Sequence, residues 1–244
     1  MCYMNHRMFV DRLGRQFEEE VQAPVSAWSI EAGLSNKVTR EGEFRPFFGA
    51  TSVFPLSVED REKCELLQFN LAALMRELAF VDPATFHITL HSFANMNNVS
   101  LDKQEVERAI ASSESDVQAA FSKIRRQYAG SVIQMRALGV KTTWKEAVSL
   151  QFVPSSDADS SILLDLFAQL EEVYPLHKPY QPHVTLGYLL ARPYRDTEVF
   201  RLKEAVREVN AMSMPVIALQ VSDLVYQYHL DMNHYVTVYT LLDT

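Results

Sequence analysis

The chain has 244 residues, 48% hydrophobic and 22% charged, with a formal net charge of −8. Such a chain suits a globular protein with a sizeable core, built as one large domain or two small lobes. The acidic balance argues against a broad duplex-binding surface and leaves small phosphorylated ligands and short RNA ends open.

Seven glycines are too few for a collagen-like or linker-rich chain. Two cysteines, Cys2 and Cys64, make neither a disulfide framework nor a zinc motif, which points to a reducing compartment and a cytoplasmic location. The start shows no apolar run of signal-peptide length, and no stretch approaches a membrane span.

Residues 1–44 show no sustained period and read as an irregular arm with one short helix. Residues 45–56, RPFFGATSVFPL, read as a strand. Residues 57–80 read as a helix capped by Ser57, with Asp60 as its capping-box partner. TFHITLHSF is a strand, residues 105–128 a helix, and SVIQMRALGV a strand. The order then recurs: EAVSLQFV as a strand, residues 155–173 as a helix capped by Ser156 with Asp159, and QPHVTLGYLL as a strand. A helix capped by Thr197 comes next, and the closing strands are PVIALQVSDLVYQY and HYVTVYTLL. An order repeating at roughly a hundred residues predicts a duplicated α+β unit. The expected fold is two pseudo-symmetric lobes around a central cleft, each a mainly antiparallel sheet with helices on its outer face. The arm is 1–44, lobe one 45–145 and lobe two 146–244, together one bilobal domain.

Two tetrads stand out, HITL at 87–90 and HVTL at 183–186. In a strand, residues two apart share a face. His87 therefore stands beside Thr89, and His183 beside Thr185, while the apolar residues anchor each strand. With seven histidines, a bare H-x-[ST] is expected about once by chance; two complete tetrads on equivalent strands are expected in well below about one chain in a thousand. Two imidazoles and two hydroxyls around one space suit displacement at phosphorus. One histidine serves as base and one as acid near neutral pH, and the threonines donate to phosphoryl oxygens.

These tetrads resemble the paired H-hydrophobic-[ST]-hydrophobic motifs of the 2H phosphoesterase superfamily, which includes the LigT-like 2′,3′-cyclic nucleotide phosphodiesterases, also called 2′-5′ RNA ligases. The element order extends the likeness over about 45–243. The resemblance implies two α+β lobes flanking a cleft, His87 and His183 as the acid–base pair, Thr89 and Thr185 as phosphate ligands, and no metal or other cofactor. The arm and the acidic balance point to a separate branch of the superfamily, and the substrate does not carry over.

Each residue has a plainer alternative. The tetrads could be core strands with locally satisfied histidines. His91 shares the parity of His87 and is expected at the strand exit. His87 and His91 are about 13 Å apart on a strand, too far for one ion. His229 and His234 are expected in a solvated hairpin. Of the nearby aromatics Phe86, Phe93, Trp144, Tyr180, Tyr188, Tyr226 and Tyr228, most belong to core, and Tyr180 is the one expected to bind substrate in the cleft. Arg45, Arg192 and Arg195 could meet a phosphate or simply be solvated. There is no G-x-S-x-G, P-loop or G-x-G-x-x-G motif.

The function expected is metal-independent hydrolysis of a 2′,3′-cyclic phosphate or 2′-5′-type phosphodiester on a small nucleotide or RNA end, by a monomer with no membrane association. The rival is a non-catalytic module that keeps the cleft to bind a nucleotide or a protein.

Overall fold

The computed structural model describes residues 6–143 and 145–244. Cys2 and Trp144 lie outside the described residues. The first element is α1 (His6–Gln22). Then come β1 (Gly49–Pro55), α2 (Val58–Leu74), β2 (Leu78–Phe80), β3 (His87–Asn95), α3 (Lys103–Tyr128) and β4 (Val132–Thr143). The rest of the chain forms β5 (Ala147–Pro154), α4 (Asp157–Val173), β6 (His183–Leu189), α5 (Asp196–Asn210), β7 (Val216–Gln220), β8 (Val225–His229) and β9 (Tyr235–Thr240). Among the described residues, no helix is long and apolar enough to cross a membrane.

The fold is α+β, with two antiparallel sheets. The first runs β3-β1-β8-β9 and the second β2-β6-β5-β4-β7. In both, the motif strand is paired with the strand that precedes its helix, β3 with β1 and β6 with β5. The sheets also exchange strands across the 145/146 division. β2 and β4 join the second sheet, and β8 and β9 join the first. One buried apolar cluster runs through both, from Phe9 and Leu13 to Tyr239 and Leu241.

The arm is more ordered than its composition implies. α1 is 17 residues long and packs on α4, β4 and β5. Phe9 and Leu13 are buried one turn apart, so a short apolar stripe amid charge is enough to dock it. α2 stops at Leu74, where Met75 turns extended, and residues 78–80 leave the expected helix to pair with β6. The predicted strand at 215–228 is cut by a turn at 221–223, which sends β7 to one sheet and β8 to the other. α5 is capped at Arg195, one turn before Glu198, and not at Thr197.

Ser57 and Ser156 cap α2 and α4 as expected, accepting from the N–H of Asp60 (3.1 Å) and Asp159 (3.2 Å). The two carboxylates, however, reach into the second sheet. Asp60 accepts from Ala218 N and Asp159 from Gln134 N, residues paired across β7 and β4.

Both motif strands carry a bulge at the same place. Ser52 pairs with His91 but Val53 with Thr89, and Val148 pairs with Gly187 but Ser149 with Thr185. One step on the neighbouring strand thus matches two steps across the motif leucine, Leu90 or Leu186. A bulge inverts the facing of the residues beyond it, so His91 and Gly187 turn away from the face that carries the threonines.

Gly49 has a similar local purpose. A Cβ there would stand 2.4 Å from Asn95 Cβ and 2.5 Å from His229 Nε2. Gly49→Ala should therefore push the His229 ring off its site and cost roughly 1–3 kcal/mol by overpacking, read from the shift in denaturation midpoint.

Candidate active site

His87 and His183 each open a strand, and their rings are half-buried. His87 Nδ1 donates to Thr85 O at 2.7 Å, and His183 Nδ1 to Gln181 O at 2.8 Å. A carbonyl only accepts, so each neutral ring carries its proton on Nδ1 and its basic lone pair on Nε2. The two motifs thus share a tautomer lock as well as a sequence.

β3 is the edge strand of the first sheet and packs near β6 of the second. A cavity of about 1240 Å³ opens there, and His87, Thr89, His183 and Thr185 all line it. Among the described residues, neither threonine hydroxyl is engaged by a protein hydrogen bond, which leaves both to donate to a ligand. Burial lowers the His87 pKa below its ordinary 6.5, opposed by the bond to Thr85. Burial also pushes His183 down to about 4, opposed by the bond to Gln181 and helped by the charges of Lys141, His87 and Lys37.

The other expected residues divide. Tyr180 borders the cavity but is itself buried, with its ring stacked on Phe167 at 4.8 Å and parallel to Phe9 at 6.4 Å. Its hydroxyl donates to Thr89 O at 3.2 Å. It is a spacer between the motif strands, already stacked on protein, rather than an open platform for a base. His91 is buried behind the bulge with Nε2 on Glu171 Oε2 at 2.9 Å, and its ring packs on Phe93 and Phe167. Glu171 also accepts from Leu176 N and His177 N, so this pair ties β3 to the segment that leads into β6.

Arg192 and Arg195 are both held by Glu198, at 2.9 and 3.2 Å, and Arg45 is exposed. Two cations border the cavity among the described residues, Lys178 and Lys37, the latter with Nζ 2.6 Å from Glu146 Oε2 and 5.9 Å from the Tyr188 ring centre. The position of Lys37 in the arm carried no sequence signal. His234 sits exposed in the β8–β9 hairpin on Asp231. His229 does not: it ends β8, is buried, and lines the cavity. Its Nδ1 donates to Phe47 O at 2.7 Å, and burial pushes its pKa down to about 4. The alternation Val225, Gln227, His229 was the available signal. Tyr235 was also missed, and its ring meets His87 edge-on at 5.1 Å.

No family model and no curated protein matches the chain. A solved structure of a conserved protein of unknown function from Agrobacterium tumefaciens matches at a TM-score of 0.65 and 17% identity, covering 93% of this chain and 99% of that one. At that identity the likeness concerns the fold. Members of the 2H phosphoesterase superfamily also stand among the matching solved structures. E. coli LigT, in a complex with 3′-AMP, has a TM-score of 0.49 and 12% identity over 80% of this chain and 97% of its own. Usb1 of Kluyveromyces marxianus has a TM-score of 0.46 and 12% identity over 79% of this chain and 97% of its own.

Proposed function

We propose that the chain is a phosphodiesterase of the 2H type that opens a 2′,3′-cyclic phosphate, or cleaves a 2′-5′-type phosphodiester, on a small nucleotide or RNA end. The observation that carries this reading is the matched pair of Nδ1-locked imidazoles, each with a threonine two residues on, bordering one cavity. One Nε2 takes the proton of the attacking oxygen as its bond to phosphorus forms. The bond to the leaving oxygen breaks, and that oxygen takes a proton from the other imidazolium. Thr89 and Thr185 donate to the non-bridging oxygens, where charge builds up. The carbonyls of Thr85 and Gln181 hold ring orientation and favour the imidazolium form of each ring. Lys37 adds positive charge to the wall. Every step uses this chain's own side chains, so the reaction is proposed to be metal-independent.

We place the protein in the cytoplasm as a monomer. One chain supplies all the groups the reaction uses, and the Cys64 thiol is free and buried.

The reaction needs one imidazole neutral and the other protonated. Both titrate below 6.5 in the free protein, His183 at about 4. The kcat/KM profile for 2′,3′-cyclic nucleotide hydrolysis should therefore be bell-shaped, with its limbs displaced to the acid side of an ordinary imidazole pair. In the substrate complex the anionic phosphate favours the charged rings, so the kcat profile should lie at higher pH. A kcat/KM plateau running from pH 7 to 9 would contradict the acid–base pair.

A further inference from the structure

A third imidazole is held at the cavity in the same way as the motif pair. His229 ends β8, is 5% exposed, and gives Nδ1–H to Phe47 O at 2.7 Å. Its Nε2 therefore carries the lone pair. Among the described residues no protein group hydrogen-bonds to that nitrogen, and the residue lines the cavity. The ring is fixed by its neighbours. Phe47 stacks on it at 5.5 Å and 11°, and at Gly49 a Cβ would stand 2.5 Å from Nε2. The Tyr235 ring centre lies 6.4 Å from that of His229 and 5.1 Å from that of His87. One tyrosine ring thus spans the gap between His229 and the phosphorus site, a distance that one nucleoside can bridge. A buried ring nitrogen without a protein partner is met by water or by a ligand. A ligand that displaces such a water loses affinity unless it brings a donor of its own.

The surroundings decide what kind of group fits. Burial holds the His229 pKa down at about 4, so the ring is neutral near pH 7 and Nε2 accepts without donating. Lys37 Nζ lies 5.4 Å from the centre of the Phe47 ring that stacks on His229, and Glu146 Oε2 matches its charge at 2.6 Å. Among the described residues no protein group takes up Glu146 Oε1, which leaves a further acceptor at the cavity. A second phosphate here would meet a carboxylate, whereas an uncharged donor meets acceptors. We propose that His229 is a specificity-determining residue, its Nε2 accepting a hydrogen bond from an uncharged N–H or O–H of the nucleoside whose phosphate the two motifs hold. This rests on the phosphodiesterase reading for its ligand, and deepens it by naming the group that selects the nucleoside. In an adenosine 2′,3′-cyclic phosphate the donors are the base amine and the 5′-hydroxyl, and the experiment separates these two sources.

The test is calorimetric binding of three ligands to the full chain at pH 7: 3′-AMP, its analogue without the base amine, and its analogue without the 5′-hydroxyl. The unaltered protein should bind one analogue at least about tenfold more weakly than 3′-AMP, and which one identifies the donor. His229→Leu, which cannot accept, should bring 3′-AMP down to the affinity of that analogue and leave the analogue's own affinity in place. Gly49→Ala, which displaces the ring without removing it, should abolish the same discrimination. Equal affinity of the unaltered protein for all three ligands overturns the proposal without any variant having to fold. Discrimination that persists in His229→Leu overturns it as well. Hydrolysis of cyclic nucleotides by a protein that binds all three ligands equally removes the His229 subsite and leaves the phosphodiesterase reading. Discriminating binding that His229→Leu abolishes, with no turnover of any diester, keeps the subsite and removes that reading. Neither binding nor turnover overturns both.

Discussion

Replacing His87 or His183 with alanine should each lower kcat/KM for phosphodiester hydrolysis by at least about 10²-fold, with the fold intact. Each imidazole is a half-buried group at the start of a strand, and its backbone bond runs to a carbonyl nearby in the loop. Losing such a bond costs about 1 kcal/mol, so the melting temperature should move only a few degrees. The double variant should be little worse than the single ones, because proton abstraction and proton donation serve one transition state and their losses are not additive. Circular dichroism and steady-state kinetics on the same preparations separate the two effects. Near-normal turnover in either single variant would remove the paired-histidine mechanism.

Phe9→Ala should destabilise the protein by about 3–5 kcal/mol, measured by denaturant unfolding. Phe9 is fully buried, lies parallel to Tyr180, and carries the Arg12 guanidinium over its ring at 5.3 Å. Arg12 in turn donates to Tyr180 O at 2.7 Å, and Tyr180 OH donates to Thr89 O. α1 is thus joined through Tyr180 to the second motif's approach and to the first motif's strand. Its loosening should reduce activity along with stability. A loss below about 1 kcal/mol would mean that the arm is an accessory to the fold.

What could be read from the sequence was local. The tetrads, the two serine caps and the strand–helix order each depend on a few consecutive residues, and the structure places them as expected. What could not be read depends on distant partners. Residues 78–80 are a strand because β6 offers an edge to pair with. The segment 215–228 divides because its halves serve different sheets. His91 obeys the parity of His87 on paper, but a bulge at Leu90 turns it into the core, where Glu171 of α4 receives it. Lys37 borders the cavity because its segment folds against Glu146, more than a hundred residues away. His229 could have been recovered from the alternation of β8, and Gly49 is the gap that admits it.

Turnover at phosphorus is the central claim, and a direct assay of it is the decisive measurement. The unaltered protein is incubated with 2′,3′-cyclic nucleotides and short 2′-5′ oligonucleotides in the presence of a chelator, at mildly acidic and neutral pH, with binding measured separately. The prediction is hydrolysis of at least one phosphodiester that survives chelation and is lost in both His87→Ala and His183→Ala. Tight binding without turnover of any diester would contradict it and favour a module that keeps the cleft only to bind.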